Sequence, residues 1–215
     1  MKKYIFILII GFCLMFGAFT FAAELKLDSN ETGLVSRAMY IHKGWNLVQG
    51  LESRDLIVGG TDIEINNIKA IFGLNPISKK YIRFYPAPEK EEIDKLRYTA
   101  NMTYWVYSNS DGTLNYQTEK VDITKFNWPS GWNIIPVASE FVNKSLDDIK
   151  GDCTIERAYW WSPREQKFIN VKDEFLKISQ YDNNVGTGLV FKFLNECKLS
   201  VLTNNGVVLP PKLPN

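Results

Sequence analysis

From residue 40 onward the apolar residues of this chain come in short clusters separated by Gly, Pro, Asn, Asp and Ser, the pattern of short strands joined by turns. Gly44-Trp45-Asn46-Leu47-Val48 opens the series, and Gly131-Trp132-Asn133-Ile134-Ile135 writes the same cluster again. In each case the glycine gives the chain a free turn into a short strand. A second strand follows at IKAIFGL (68–74) and IERAYWW (155–161), then a turn containing Pro76 or Pro163, then a short strand at KYIRFY or KFINV. Side chains two apart share a strand face, so Ile68, Ala70, Phe72 and Leu74 form one face, matched by Ile155, Arg157, Tyr159 and Trp161. That set is the expected core face, which leaves Trp160 on the opposite side. Helices are expected at 88–98, at 173–181 and at SLDDIKG, where Ser145 stands three residues before Asp148 in a capping-box arrangement that Gly151 ends. Each series closes on an expected hairpin, with NSDG (109–112) and LNEC (194–197) as the turns.

The two series align with a constant offset of 87 residues. Besides the Gly-Trp-Asn anchors, Ile68 meets Ile155, Phe72 meets Tyr159, Pro76 meets Pro163, and Lys80-Tyr81-Ile82 meets Lys167-Phe168-Ile169. After a shift of two or three residues, TYWVYSNSDGTLNY (103–116) lies opposite TGLVFKFLNECKLSV (187–201). An ungapped register of this length signals internal duplication. The expected organisation is a signal peptide at 1–22, a lead-in at 23–39, repeat 1 at 40–118, repeat 2 at 119–203 and a Pro-rich tail at 204–215. The fold class is then β-rich α+β, with two tandem repeats of about 75–85 residues, each of short strands with one or two short helices.

The order of Gly-Trp-Asn-Leu, aromatic-ended strand, turn, short strand, helix and YWVYSNSDGTL resembles a tandem module of exported bacterial and archaeal proteins. Its members typically read Gly-Trp-Asn-Leu-Ile-Ser/Gly-Leu-Pro, later Val-Trp-x-Tyr-Asp, later Gly-Lys-Gly-Tyr-Trp-Val, and finish on Thr-Leu-Thr-Val. The likeness spans about 40–203. The chain departs from the pattern at VQGL, where Leu-Pro is usual, and at GLVFKF in place of Gly-Tyr-Trp-Val. The resemblance implies a module without assigned catalytic residues.

The N-terminus changes where this protein is expected to act. Lys2 and Lys3 precede an apolar run over 4–19, and Thr20-Phe21-Ala22 supplies a cleavage site after Ala22, or after Ala23. A retained anchor is the competing reading, since the run is near the lower length for a membrane span. Cys13 is no lipid-attachment site, because it lies inside the apolar run and follows the bulky Phe12. Export to periplasm, cell surface or medium follows, with no membrane span after cleavage. The 25 basic and 24 acidic residues of the full chain become 23 and 24 without the signal, a balance that gives no electrostatic case for nucleic acid. Cys153 and Cys197 then remain as an even pair, read as a disulfide closing a loop worth roughly 4 kcal/mol of chain entropy.

Candidate chemistry is sparse. His42 is the only histidine, too few for a triad or a histidine metal site, and the cysteines lack CxxC spacing. Asp147–Asp148 and Glu91–Glu92 sit at adjacent helical positions and diverge, and neither the GTG at 186–188 nor the NSDG turn completes a phosphate or calcium loop. No metal, cofactor or catalytic residue is expected. Aromatics make up 13% of the chain, enough for some to reach the surface. Trp160 and Trp128 are the candidate ligand contacts, while Trp45 and Trp132 are expected to pack the core. The expected function is an exported, non-catalytic repeat protein that binds an unknown protein or glycan partner or supports a surface assembly. The alternatives are a carbohydrate-binding protein and an exported hydrolase with unrecognised carboxylates.

Overall fold

The chain divides into two units after Gly33. The computed structural model describes residues 34–94, 103–119, 122–171 and 185–201, all within the second unit. The expected signal peptide, most of the lead-in, the helix at 173–181 and the Pro-rich tail lie outside the described residues. The described residues are β-rich and form three antiparallel sheets.

Strands β1 (Leu34–Ile41), β3 (Ile57–Gly60) and β7 (Gly112–Glu119) form sheet I in the order β1-β7-β3. Strands β2 (Gly44–Gln49), β4 (Ile68–Leu74), β5 (Tyr81–Tyr85) and β6 (Thr103–Ser108) form sheet II in the order β2-β6-β4-β5. Strands β8 (Gly131–Pro136), β9 (Ile155–Ser162), β10 (Lys167–Asn170) and β11 (Gly188–Phe193) form sheet III in the order β8-β11-β9-β10. Short helices α1 (Lys90–Ile93) and α2 (Leu146–Ile149) lie between strands. At α2 the capping box is complete in both directions: Ser145 Oγ accepts from Asp148 N, and Asp148 Oδ2 accepts from Ser145 N.

Alternation decides what each sheet buries. Along β7, Gly112, Leu114, Tyr116 and Thr118 point inward, and between them Thr113, Asn115 and Gln117 are half-exposed. Sheets I and II enclose one core through Met39, Ile41, Ile71, Tyr104, Val106, Leu114 and Tyr116. Sheet III buries Ala158, Leu189, Phe191 and Phe193 against a cover that includes Phe141, Ile149 and the Cys153–Cys197 disulfide. The cysteine Cα atoms are 4.9 Å apart and the bridge spans 44 residues. It fastens a layer with few strand pairings of its own, the isolated bridges Trp128↔Cys197 and Lys150↔Ser200.

Two expectations fail here for identifiable reasons. The turn after β6 does not close a hairpin. It carries the chain out of sheet II into sheet I, where β7 pairs with β1 and β3. The expected core face is also displaced. A register irregularity between Ile68 and Ala70 shifts the parity of β4, so Ile68 and Ile71 are both buried in the core while Phe72 lies half-exposed on the other face. In β9, Ala158 is buried and Trp160 packs against the same core, whereas Tyr159 and Trp161 face the opposite way, toward sheet II.

Sheets II and III meet through those outer faces. Leu47, Leu74 and Ile134 are buried between them, with Trp105, Trp161 and Val190 packed around. A backbone stitch joins the ends of β2 and β8: Gln49 N donates to Gly186 O, Gly186 N to Val137 O, and Val137 N to Thr187 O, each at 2.8 Å. The approach is close enough that a Cβ at Gly188 would stand 2.6 Å from Leu47 Cβ.

Candidate functional site: an aromatic groove between two sheets

The contact between sheets II and III covers only part of the two faces. The uncovered part is a groove of two adjoining lobes. The first, about 420 Å³, is lined by Trp45, Phe72, Tyr81 and Trp105 from sheet II and by Trp161 and Phe168 from sheet III. The second, about 480 Å³, shares Tyr81, Trp105 and Phe168 and adds Trp132, Tyr159 and Val190 together with the charged Lys79 and Arg157. Both volumes fall in the range of ligand-binding clefts. Tyr81 and Phe168, common to both lobes, are 57% and 48% exposed, so large rings stand uncovered where the lobes join.

Each ring is placed by strand alternation. On β9, Arg157, Tyr159 and Trp161 share the face that looks at sheet II, and on β6 Trp105 sits between the inward Tyr104 and Val106. The rings meet edge to face: Trp105 and Trp161 are 4.9 Å apart at 82°, Trp161 and Phe168 5.0 Å at 70°, and Trp45 and Trp105 6.2 Å at 84°. That arrangement suits the quadrupoles of aromatic pairs. Two of the three indole donors are engaged as well, since Trp105 Nε1 donates to Tyr81 OH at 3.3 Å and Trp161 Nε1 to Trp45 O at 2.9 Å. The first lobe is accordingly almost wholly apolar at its surface.

The Gly-Trp-Asn clusters build the ends of this groove. Gly44 and Gly131 hold φ values of 101° and 85°, a region costly for any residue with a Cβ. They also lie against a side chain reaching from the opposite sheet, Gln166 beneath Gly44 and Lys79 beneath Gly131. Gln166 Nε2 donates to Trp45 O and Lys79 Nζ to Trp132 O, both at 3.0 Å. Trp45 N returns a bond to Gln166 Oε1 at 2.8 Å. The asparagines bolt the preceding turns: Asn46 Nδ2 donates to His42 O and Gly44 O, and Asn133 Nδ2 donates to Pro129 O and Gly131 O. Asn46 Oδ1 accepts from His42 N at 2.9 Å, whereas Asn133 Oδ1, buried, has no partner because Pro129 carries no N–H.

The charge of the groove is one-sided. Among the described residues lining the two lobes, Lys79 and Arg157 alone are charged, both in the second lobe. Burial holds the Lys79 ammonium below its usual pKa. Arg157 Nε lies 3.8 Å from Glu156 Oε1, but the shorter contact of Glu156 is to Lys192 Nζ at 2.8 Å.

The sequence candidates fall elsewhere. Trp160 is half-buried with its indole donating to Thr187 Oγ1, and it lines neither lobe. Trp128 is 8% exposed, donates to Ile123 O and lines a separate cavity beside Phe126, Pro129 and Asn133. Trp45 and Trp132, expected in the core, are half-exposed groove walls instead. The reason is parity: each precedes an Asn locked inward, and Leu47 and Ile134 make the dry contact beyond. His42 pairs with Asp111 at 3.4 Å beside the β1–β2 turn, Asp147 with Lys150, and Asp148 serves the cap. Asp152, Cys153 and Cys197 lie together, but both sulfurs are consumed by the disulfide, which leaves one carboxylate and no metal-binding set. The residues missed from sequence were Tyr81, Trp105, Phe168, Lys79 and Arg157. A signal for the first and third was present, because Tyr81 and Phe168 are aromatic at the same place in both series.

No family model, curated protein or solved structure matches this chain.

Proposed function

We propose that this chain is an exported, non-catalytic binding protein built by tandem duplication, with the aromatic groove between sheets II and III as its binding site. The groove carries the reading. Six rings from two sheets surround a space of ligand size, and two of them stand about half exposed where the lobes join. Isolated exposed rings are ordinary, but rings converging from two sheets on a space of ligand size give the apolar lining that binding clefts use.

Duplication is supported by the matching pairings. β2 pairs with β6 from Gly44↔Ser108 to Gln49↔Thr103, and β8 pairs with β11 from Gly131↔Phe193 to Pro136↔Gly188. Trp45, Phe72 and Tyr81 of the first lobe precede Trp132, Tyr159 and Phe168 of the second by the same 87 positions that separate Lys79 from Gln166. Lys79 reaches Trp132 O while Gln166 reaches Trp45 O. Contacts that exchange in this way are those of a two-fold interface written within one chain. Export is supported by the disulfide, which persists in oxidising compartments. Among the described residues no helix is long and apolar enough to cross a membrane.

The lining gives less support to the alternatives. Sugar platforms present ring faces flanked by free hydrogen-bond groups, whereas here the rings meet edge to face and the Trp105 and Trp161 donors are engaged. Hydrolysis needs converging acid and base groups, and no carboxylate lines either lobe among the described residues. The test is a titration followed by tryptophan fluorescence. A Phe-rich neutral peptide is expected to quench or shift the emission and to lose affinity at least about tenfold with Trp161→Ala. Cellohexaose and chitohexaose are expected to do neither. Saturable binding of an oligosaccharide, abolished by the same substitution, would replace this reading with the glycan one.

A further inference from the structure

We infer that the occupant of the groove is an acidic segment of a partner protein, which places an aromatic or aliphatic side chain in the first lobe and a carboxylate against Lys79 and Arg157 in the second. The inference rests on the groove being the binding site and adds the chemistry of what binds there.

The two lobes share three rings, so a ligand seated in one lies against the other. They differ sharply in polarity. The first is walled by six aromatic side chains and offers neither the Trp105 nor the Trp161 indole donor, which selects an apolar side chain over any hydroxylated group. The second holds two cations and no anion among its described lining residues. Lys79 is partly desolvated, which lowers its pKa and raises what an incoming carboxylate gains by pairing with it. Its ammonium spends one hydrogen bond on Trp132 O and has two further hydrogens to donate. Arg157 faces the same space, and its nearest carboxylate is the more closely engaged partner of Lys192. At the positions 87 residues away the cations are absent: Gln166 stands for Lys79, and Ala70 for Arg157. The charge therefore belongs to one lobe and gives the groove a direction. An extended segment with an apolar and an acidic residue two places apart, on one face of the strand, matches an apolar lobe beside a cationic one.

Isothermal titration calorimetry on the mature protein tests this with three synthetic octapeptides that place Asp, Asn or Lys two residues after each Phe, with Ser between them. The Phe/Asp peptide is expected to bind at least about tenfold tighter than Phe/Asn, the range of a charge-assisted bond, and to weaken as salt rises from 50 to 300 mM. Phe/Lys is expected to bind more weakly than Phe/Asn. Lys79→Gln with Arg157→Ala, which copies the residues at the matching positions of the other series, is expected to bring Phe/Asp down to the affinity of Phe/Asn. Equal binding of Phe/Asp and Phe/Asn to the unaltered protein would overturn the acidic occupant while leaving the groove as the site. Binding of all three that Trp161→Ala does not alter would overturn the groove itself, and the inference with it.

Discussion

Asn46 and Asn133 hold corresponding places in the two Gly-Trp-Asn clusters, but truncating them should cost very different amounts. Both are buried, at 3% and 0% exposure, so the loss of packing on conversion to Ala is similar and cancels in a comparison. The hydrogen bonds do not cancel. Asn46 accepts from His42 N at 2.9 Å and donates to His42 O at 2.8 Å and Gly44 O at 3.1 Å, with a longer contact to Val106 O. At about 1 kcal/mol net for each of the three short bonds, Asn46→Ala loses about 3 kcal/mol from this source. Asn133 loses two such bonds, about 2 kcal/mol, but its truncation also removes a buried carbonyl oxygen without a partner. Such an orphan carries a penalty of about 1–3 kcal/mol, so the net cost at Asn133 falls to about 1 kcal/mol or less. The two variants should differ by about 2 kcal/mol. With a urea slope of about 2 kcal/mol/M that is a separation of about 1 M between their unfolding midpoints, read by circular dichroism. His42→Pro, which copies Pro129, should strand Asn46 Oδ1 and shrink the cost of Asn46→Ala in a double-mutant cycle by about 1 kcal/mol or more. Equal midpoints for the two Ala variants, or a lower one for Asn133→Ala, would refute the account of the motif as a hydrogen-bonded bolt completed only in its first occurrence.

Three further outcomes follow from the same structure. Replacing Cys153 and Cys197 by Ala should cost about 4 kcal/mol, because the bridge closes 44 residues and pins a cover layer with little strand pairing; denaturant melts with and without reductant measure it, and reductant should leave the variant unmoved. Burial raises the Glu52 carboxyl above its ordinary value of 4.5, against the Tyr104 hydroxyl that donates to it and with added repulsion from Glu119. The native state then keeps this proton longer than the unfolded chain, so stability is lost as pH rises from 4.5 through the raised value; Glu52→Gln and the parent should melt together below pH 4.5 and separate in favour of the variant above it. Ser145→Ala should cost about 1 kcal/mol by opening the cap of α2, and Ser145→Asp, which keeps an acceptor for the Asp148 N–H, should cost less in the same melts.

Local rules carried the sequence reading as far as local chemistry reaches. The capping box at Ser145 and the strands opened by Gly44 and Gly131 each depend on a few neighbouring side chains, and each is present in the structure; the disulfide spans 44 residues and was read from the cysteine count instead. The errors arose where distant partners decide. NSDG has the residues of a hairpin turn, but whether β7 returns to β6 or pairs with β1 is set by Leu34–Ile41, some seventy residues earlier in the chain. Period-two counting along β4 assumes an unbroken ladder, and the irregularity after Ile68 breaks it. In β9 the ladder is also irregular, passing from Arg157↔Lys192 to Ile155↔Phe193, so Ile155 packs on the same core as Ala158 and Trp160, and over 157–161 the inner face was misassigned. Tyr159 and Trp161 look like better core residues than Ala158, yet Ala158 is buried because Phe191 and Phe193 of the neighbouring β11 already fill that core.

That misassignment explains why the candidate site was hidden. A sequence marks large aromatics as interior, and here the interior of each half is supplied mostly by Ile, Leu, Val and Phe, while five of the six tryptophans are half-exposed. Among the described residues the buried apolar side chains between sheets II and III are Leu47, Leu74 and Ile134. Beyond them Gln166 and Lys79, each at a left-handed turn position with φ of 51° and 57°, span the gap to the backbone of the opposite tryptophan. A core under selection for stability alone would close such a gap, since each uncovered ring forfeits area worth about 25 cal/mol per Å². Eight large aromatics kept around an open space, with cations at one end only, are what the proposed binding role asks for and what the stability of the fold alone does not.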